Sequence, residues 1–310
     1  MVPLAAAVLV LELGLRATTD LPLQGGDWLP PHPTRLWQLP EGQYANDGSP
    51  ALVDEHGLRV VDLDGDPLRV LTLGDSSIFG HGLPSEQTLH ASLERALEER
   101  GVQADVLCGG VPGYSTEQSL ELLEELGEEL QPDLLVLGGL WSDYQQESFH
   151  DREFIASARS PVASARRFLV RKVALVSWLE SQRAGGQTSM PVTWVQEPNQ
   201  VLDSRVPVEH YRENQQRLAD WASARGAAVA TLAPCHRKRI GGGNHPFEAW
   251  VEALEQNPGA IAHVDACSEL RAAGLEGDAA FLDELHPTGA SNAAYGEALA
   301  RELVAAGWGS

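Results

Sequence analysis

Residues 71–82 read LTLGDSSIFGHG, and this stretch decides how the rest of the chain is interpreted. A run of strand-forming residues at 69–73 (RVLTL) ends abruptly in Gly74, Asp75 and Ser76, and two more glycines follow. Open α/β sheets carry their chemistry at the carboxyl ends of buried parallel strands. The stretch therefore predicts a buried strand that delivers a serine to the functional edge of a sheet.

The composition is that of a globular protein with an acidic surface. The 310 residues are 43% hydrophobic and 21% charged, which is sufficient for a sizeable core. The 44 acidic and 22 basic side chains give a formal net charge of -22. Such a surface repels phosphate backbones, so we expect no nucleic-acid partner. The short basic run at 236–239 is interpreted as a solvated loop.

The three cysteines, Cys108, Cys235 and Cys267, show neither Cys-x-x-Cys spacing nor a zinc pattern. No other ligand cluster is evident, so neither a metal nor a cofactor is expected. Cys235 and Cys267 could pair if the protein is exported, but buried free thiols are the preferred interpretation.

Residues 1–66 are expected to form an N-terminal apolar segment and an irregular leader, followed by one main domain at 67–310. The apolar run 2–11 is shorter than the roughly 20 residues of a membrane span and lacks the features of a secretory signal. Two interpretations stay open. Either the run is the tail of a membrane anchor, which places the protein at the cell envelope, or it is a first helix of a cytoplasmic protein. The Pro- and Gly-rich stretch 17–66 would lie over the domain or link it to the membrane. The oligomeric state is not set by the sequence.

From residue 67 onwards, strand and helix patterns alternate. Strands are predicted at 69–73, 104–110, 133–138, 191–196 and 227–233. Helices are predicted at 85–100, 115–130, 208–225 and 290–306. This alternation predicts a three-layer α/β/α fold with a mostly parallel sheet of about five strands. An insertion at about 145–190 interrupts the pattern, and its segment 166–180 predicts one helix that forms a wall or lid of a site.

A serine nucleophile needs a base, and the base needs an orienting group. Asp283 precedes His286 by three residues in a tight loop before the last predicted helix, so its carboxylate can reach the imidazole ring. Ser76 is the candidate nucleophile, and capping of the following helix by Ser76 or Ser77 is the alternative. A Gly-x-Ser-x-Gly elbow is absent, which argues against the α/β-hydrolase fold.

Two further strand ends carry residues suited to the same edge. The glycine-rich turn at 108–118 (CGGVPGYSTEQ) leads into a helix, and backbone N–H groups at such turns bind anions. The third predicted strand ends in polar residues at 137–143 (LGGLWSD).

These stretches, in this order, resemble the four sequence blocks of the SGNH/GDSL hydrolase family over about residues 68–305. GDSS at 74–77 is similar to the first block, and Gly113 to the glycine of the second. WSD at 141–143 stands where the family has Gly-x-Asn-Asp, and DELH at 283–286 is similar to the last block. The resemblance implies a three-layer α/β/α domain and a Ser-His-Asp triad that acts on esters.

By position, the resemblance implies Ser76 as nucleophile, His286 as base and Asp283 as its orienting acid. The N–H groups of Ser76 and Gly113 would form part of the oxyanion hole.

The departure lies in the third block, where Ser142 replaces the asparagine that supplies the third oxyanion donor. Loss of one such donor typically costs about 2.7–4 kcal/mol in the transition state. Asp75 and Asp143 would support the site.

The sequence therefore predicts a serine hydrolase that cleaves a small acyl ester, for example an acetyl ester of a carbohydrate or lipid, through an acyl-enzyme. An O-acyltransferase of an envelope polysaccharide is the first alternative. A non-catalytic binding protein on the same scaffold is the second, and Ser142 is the reason to consider it. Trp141 would stack on a sugar, line an acyl pocket or belong to the core.

Overall fold

The structure is a computed structural model that describes residues 2–18, 29, 31–61, 65, 68–147, 149–183, 203–242 and 247–310. The central sheet has five strands: β1 Leu68–Gly74, β2 Ala104–Gly110, β3 Leu134–Gly138, β4 Ala228–Ala233 and β5 Ala260–Asp265. Their spatial order is β5-β4-β3-β1-β2, and every neighbouring pair is parallel. The direction of strand addition reverses at β1, so the carboxyl ends of β1 and β3 flank a crevice where α/β folds bind ligands.

The helices are α1 Val2–Thr18, α2 Ser76–Phe79, α3 Leu89–Glu98, α4 Thr116–Leu130, α5 Trp141–Tyr144, α6 Asp151–Ala158, α7 Pro161–Lys172, α8 Ala174–Arg183, α9 Val208–Arg225, α10 Arg237–Ile240, α11 Glu248–Glu255, α12 Ala266–Ala272, α13 Gly277–Ala280 and α14 Gly289–Ala305. Short 3₁₀ turns occupy Asn46–Gly48 and Ser85–Gln87.

Two hydrophobic clusters sandwich the sheet, because successive side chains of a strand point to opposite faces. Val70 and Val136 face a cluster with α3, α12 and α14. Leu71 and Leu135 face the other cluster, with α4, α9 and α11. The predicted three-layer α/β/α fold with a parallel, five-stranded sheet is confirmed.

Helix boundaries follow the predicted pattern closely, whereas one strand was not predicted. The helix at 208–225 is found as predicted, and α3 begins at Leu89 because 85–87 forms a 3₁₀ turn. The predicted strand at 191–196 lies outside the described residues. Among the described residues the fifth strand is β5, an edge strand whose sequence AIAHVD includes a polar His263 and a half-exposed face, and so lacks a continuous apolar run.

The prediction of one helix over 166–180 is wrong, because the chain breaks there into α7 and α8. Val173 between them has an extended backbone with φ -120° and ψ 108°. Glu12 of α1 stabilises the start of α8, since its carboxylate accepts hydrogen bonds from the N–H groups of Ala174 and Leu175 at 2.8 and 2.9 Å. No helix among the described residues is long and apolar enough to cross a membrane.

Residues 31–61 pack on the α4 face of the sheet. They form two short antiparallel ladders, Pro31–His32 with Leu36–Trp37 and Gly42–Tyr44 with Ala51–Val53. A third ladder pairs Gln146–Glu147 with Asp203–Ser204.

Trp37 joins this leader to the domain. Its side chain is fully buried, and its Nε1 donates to the carbonyl of Pro112 at 3.2 Å. The Tyr114 hydroxyl donates to the Trp37 carbonyl at 2.6 Å. Residues 31–61 therefore contribute side chains to the hydrophobic core.

The sequence also misjudged two features beyond β4. Cys235 and Cys267 form a disulfide rather than staying free, because the end of β4 lies beside the start of α12 and the Cα atoms are 4.8 Å apart. Cys108 is the buried free thiol. The basic run 236–239 is not a solvated loop: His236 is buried, and Arg237 begins the short helix α10.

Candidate active site

Ser76 is the first residue of α2, directly after β1. Asp75 is the residue that caps this helix, since its carboxylate accepts the N–H of Ser77 at 2.9 Å. The helix-cap interpretation of Ser76 and Ser77 is therefore unnecessary, and the Ser76 hydroxyl is available for other contacts. Gly74 is required where the end of β1 approaches the end of β3, because a Cβ there would lie 2.2 Å from the carbonyl oxygen of Gly138.

The structure brings Ser76, His286 and Asp283 into one hydrogen-bonded chain. His286 Nε2 lies 2.9 Å from Ser76 Oγ, although the two residues are 210 positions apart in the chain. His286 Nδ1 lies 2.6 Å from Asp283 Oδ2. The second carboxylate oxygen of Asp283 accepts the N–H groups of Leu285 and His286, both at 2.8 Å. This arrangement is that of a nucleophile, a base and an orienting acid.

Asp283 is held in its ionised form. Partial burial acts to raise its pKa, but hydrogen bonds from the His286 N–H, the His286 ring and the Leu285 N–H outweigh this effect and lower the pKa to about 2. An ionised Asp283 fixes the imidazole with Nδ1–H towards the carboxylate and Nε2 towards Ser76, and it stabilises the imidazolium that forms when Ser76 loses its proton.

Asp75 joins the carboxyl ends of β1 and β3. Its buried carboxylate accepts the N–H of Trp141 at 3.2 Å and also the N–H of Ser142. Burial raises the pKa of Asp75 despite these hydrogen bonds. Ser142, buried in α5, is thus placed through its backbone beside the residue that precedes Ser76.

Asp143 joins the end of β3 to the turn after β2. Its Oδ1 accepts the N–H and the hydroxyl of Thr116 at 2.9 and 2.6 Å. Burial raises the pKa of Asp143 to about 7, although the two hydrogen bonds from Thr116 act in the opposite direction. The segments that carry Gly113 and Ser142 are therefore joined to each other next to these residues.

A buried ion pair fixes the Gly113 turn, and no local sequence motif marks this pair. Arg205 Nη1 donates to the carbonyl of Gly113 at 2.9 Å. The same guanidinium forms two hydrogen bonds with the Asp151 carboxylate at 2.7 and 3.0 Å, and both side chains are buried. These residues are 54 positions apart, so only the tertiary structure reveals the pair.

His81 is a second residue that sequence reasoning left without a role. Its ring lies on the ring of His286, with centroids 4.4 Å apart and planes tilted by 37°. Burial and the neighbouring His286 lower the pKa of His81, although Asp47 and Asp283 act to raise it. The sequence signal that could have pointed to His81 is its position in the stretch GDSSIFGHG, five residues after Ser76.

A small cavity lies between residues next to the triad and the hydrophobic core, since core residues such as Ile78 and Tyr295 also line it. Its volume is about 20 Å³. Its lining includes Ser77, Gly139, Trp141, Pro234, Leu285 and Pro287. The Trp141 ring packs edge-on against Phe247, with centroids 4.8 Å apart, so one face of the side chain belongs to the core while the residue also lines the cavity.

In the part of the chain that the structure describes, no three His, Cys, Asp or Glu side chains are grouped so as to hold a metal ion.

No protein-family model matches the chain, and no curated protein matches it significantly. Several solved structures are similar to it. A lipase/acylhydrolase from Enterococcus faecalis is 15% identical over 76% of this chain and 95% of its own, with a TM-score of 0.46. Axe2, an acetylxylan esterase from Geobacillus stearothermophilus, is 14% identical over 77% and 95%, with a TM-score of 0.47. TesA is 17% identical over 77% and 99%, with a TM-score of 0.45. The likeness is one of fold.

Proposed function

We propose that the protein is a serine ester hydrolase. The observation that carries the proposal is the hydrogen-bonded chain from Ser76 Oγ through His286 to Asp283. His286 Nε2 removes the hydroxyl proton while Ser76 Oγ attacks the ester carbonyl, and the resulting imidazolium returns that proton to the leaving alcohol. Water then attacks the acyl-enzyme with His286 again acting as base, which releases the acid and restores Ser76.

The backbone N–H groups of Ser76 and Gly113, with Ser142, are proposed to hold the developing oxyanion. Their support is the placement of both loops beside Ser76, by Asp75 on one side and by Arg205 on the other. Preorganised donors of this kind stabilise the transition state because they need no reorganisation during the reaction. Ser142→Ala is expected to lower kcat, whereas an unchanged kcat would remove Ser142 from the oxyanion hole.

The proposed substrate is an ester with a small acyl group, such as acetyl. The small cavity beside Trp141 and Leu285 supports this choice, because its lining is largely apolar and includes residues next to the triad, such as Leu285 and Pro287. Carbohydrate esters are the favoured substrate class, with lipid esters as the alternative.

The test is hydrolysis of p-nitrophenyl esters from acetyl to dodecanoyl by the full chain. Ser76→Ala is expected to lower kcat by about 10⁴-fold or more, since the nucleophile is lost. Ser223→Ala is the control, because Ser223 is an exposed serine near the end of α9, outside the site. Turnover that survives in Ser76→Ala would refute the proposal. Product analysis with a sugar present distinguishes hydrolysis from acyl transfer.

A further inference from the structure

Arg237 holds the loop that carries two members of the triad. Its Nε donates to the carbonyl of Asp283 at 3.0 Å, and its Nη2 donates to the carbonyl of Phe281 at 3.0 Å. Its backbone N–H donates to the carbonyl of Glu284 at 3.0 Å, and its Nη1 pairs with Asp278 at 2.7 Å. Arg237, which follows β4 by four positions, therefore contacts the chain on both sides of Asp283.

The segment that carries Arg237 is itself anchored to α12. The disulfide between Cys235 and Cys267 joins it to this helix two residues before Arg237. Two residues after Arg237, Arg239 donates to the carbonyl of Pro234 at 3.1 Å and to the Asp265 carboxylate at 3.3 Å. Asp265 in turn caps α12, since its carboxylate accepts the N–H of Cys267 at 3.0 Å.

The triad loop needs such support from outside. The Asp283 side chain is 51% exposed, so burial does little to fix it. Within the loop, the Leu282 N–H donates to the His286 carbonyl at 2.9 Å, and Phe281 and Pro287 form an isolated bridge. These bonds set the shape of the loop but do not set its distance from Ser76, which lies in α2.

We propose that Arg237 is a positioning residue for Asp283 and His286, and that the Cys235–Cys267 disulfide fixes the segment from which it acts. The inference rests on the proposed function of the triad. Arg237 binds backbone carbonyls and Asp278, while the Asp283 carboxylate is already occupied by His286 and Leu285. Arg237 therefore affects the position of His286 rather than the charge of Asp283.

The disulfide makes this support dependent on the redox state. A dithiol reductant that transfers two electrons converts Cys235 and Cys267 into thiols and is itself oxidised to a disulfide. The covalent link between the Arg237 segment and α12 is then lost. Since such bonds persist in oxidising compartments, full activity is expected where the disulfide forms.

The first experiment compares Arg237→Ala and Arg237→Lys with Lys238→Ala in the full chain. Lys238 is the matched control, because it is the next residue, has the same charge and is exposed. Arg237→Ala is expected to lower kcat by about 10- to 100-fold with little change in KM, because a misplacement of about 1 Å costs this much. The kcat of Arg237→Lys should lie between those of the unaltered protein and Arg237→Ala, since an ammonium cannot replace the planar guanidinium. Millimolar guanidinium ions should partly restore the Ala variant, which a folding defect would not allow.

A second readout does not depend on ester turnover. The Nδ1 proton of His286, shared with Asp283, should give a downfield 1H NMR resonance that is lost or broadened in Arg237→Ala and kept in Lys238→Ala. The rate of fluorophosphonate labelling of Ser76 should fall in parallel with kcat. A Cys235→Ala, Cys267→Ala double variant should show the same losses to a smaller degree.

The outcomes separate the two proposals. If Ser76→Ala is inactive while Arg237→Ala keeps its kcat, labelling rate and resonance, the serine hydrolase stands and the role of Arg237 is refuted. If Arg237→Ala loses kcat without guanidinium rescue and with the resonance intact, the positioning role is also refuted. If the unaltered protein neither turns over esters nor labels at Ser76, both proposals fail.

Discussion

Gly139 shows at the scale of one residue how closely the strand ends of the site are packed. Its φ is +74°, and a Cβ there would lie 2.9 Å from Asp75 Cγ and 3.0 Å from Asp75 N. Any side chain at 139 must push on the residue that precedes the nucleophile. The glycine is therefore required both by its backbone and by its neighbour.

Gly139→Ala is expected to destabilise the protein by more than the roughly 1–2 kcal/mol of a left-handed backbone, and to lower kcat. Gly226→Ala is the matched control, because Gly226 has a φ of +73° and open space around its Cβ position. Urea unfolding and ester turnover of both variants measure the difference. Equal losses in the two variants would contradict the close packing at Gly139.

Asp143 should make stability depend on pH. Its pKa is about 7 in the folded protein, where burial raises it, and about 3.9 in an unfolded chain. Between these values the folded state binds more protons, so the free energy of unfolding should fall as pH rises from about 4 to about 7.

Asp143→Asn keeps an oxygen for the Thr116 hydrogen bonds but cannot titrate. The free energy of unfolding of the unaltered protein should therefore fall relative to this variant between pH 5 and pH 8, by an amount on the order of a few kcal/mol. Urea unfolding at the two pH values tests this. Parallel pH dependences would show that Asp143 is ionised throughout.

At the scale of elements, two leader residues hold the loop that follows α2. Arg59 is buried and donates to the carbonyls of Phe79, Gly80 and Leu83 at 2.9, 3.1 and 2.9 Å. The amide of buried Asn46 contacts the same loop, since its Oδ1 accepts the N–H of Gly82 at 3.0 Å. His81 lies between these contacts and faces His286. The leader thereby shapes one wall of the site.

Arg59→Ala is expected to cost about 3 kcal/mol, because it removes charge-assisted hydrogen bonds to three buried carbonyls, and to lower kcat by loosening the His81 loop. Arg95→Ala on the exposed side of α3 should change stability by less than about 0.5 kcal/mol. Urea unfolding of both variants provides the comparison. A small effect at Arg59 would mean that water satisfies the carbonyls.

At the scale of the whole molecule, the sheet, its helices and residues 31–61 share one core. Trp37 and Leu39 are fully buried in the cluster that contains Leu71 of β1 and Leu122 of α4. A boundary at residue 66 would cut through this cluster. The folding unit suggested by packing begins before Trp37.

A chain shortened to 68–310 is therefore expected to be strongly destabilised, because it loses buried side chains of the kind that cost about 3–5 kcal/mol each. A chain shortened to 31–310 keeps them and should retain cooperative thermal unfolding and ester turnover. Thermal denaturation followed by circular dichroism measures both. A stable, active 68–310 chain would show that the leader contributes little.

The local pattern of the sequence determined the fold class, the approximate boundaries of α3, α4, α9 and α14, and the identity of the triad candidates. Strands and helices can be predicted this way because apolar residues repeat with the period of each element. Ser76, Asp283 and His286 stood out because each lies in a short local motif. The fifth strand was missed because the sequence of an edge strand has no continuous apolar run.

Only the tertiary structure decided which distant groups meet. It set the Ser76–His286 contact, the Arg205–Asp151 pair, the disulfide and the hydrogen bonds from Arg237 to the triad loop. Each of these joins residues more than 30 positions apart, and the strand order brings them together. Local periodicity specifies the elements, whereas the burial of two faces of one sheet specifies which loops become neighbours.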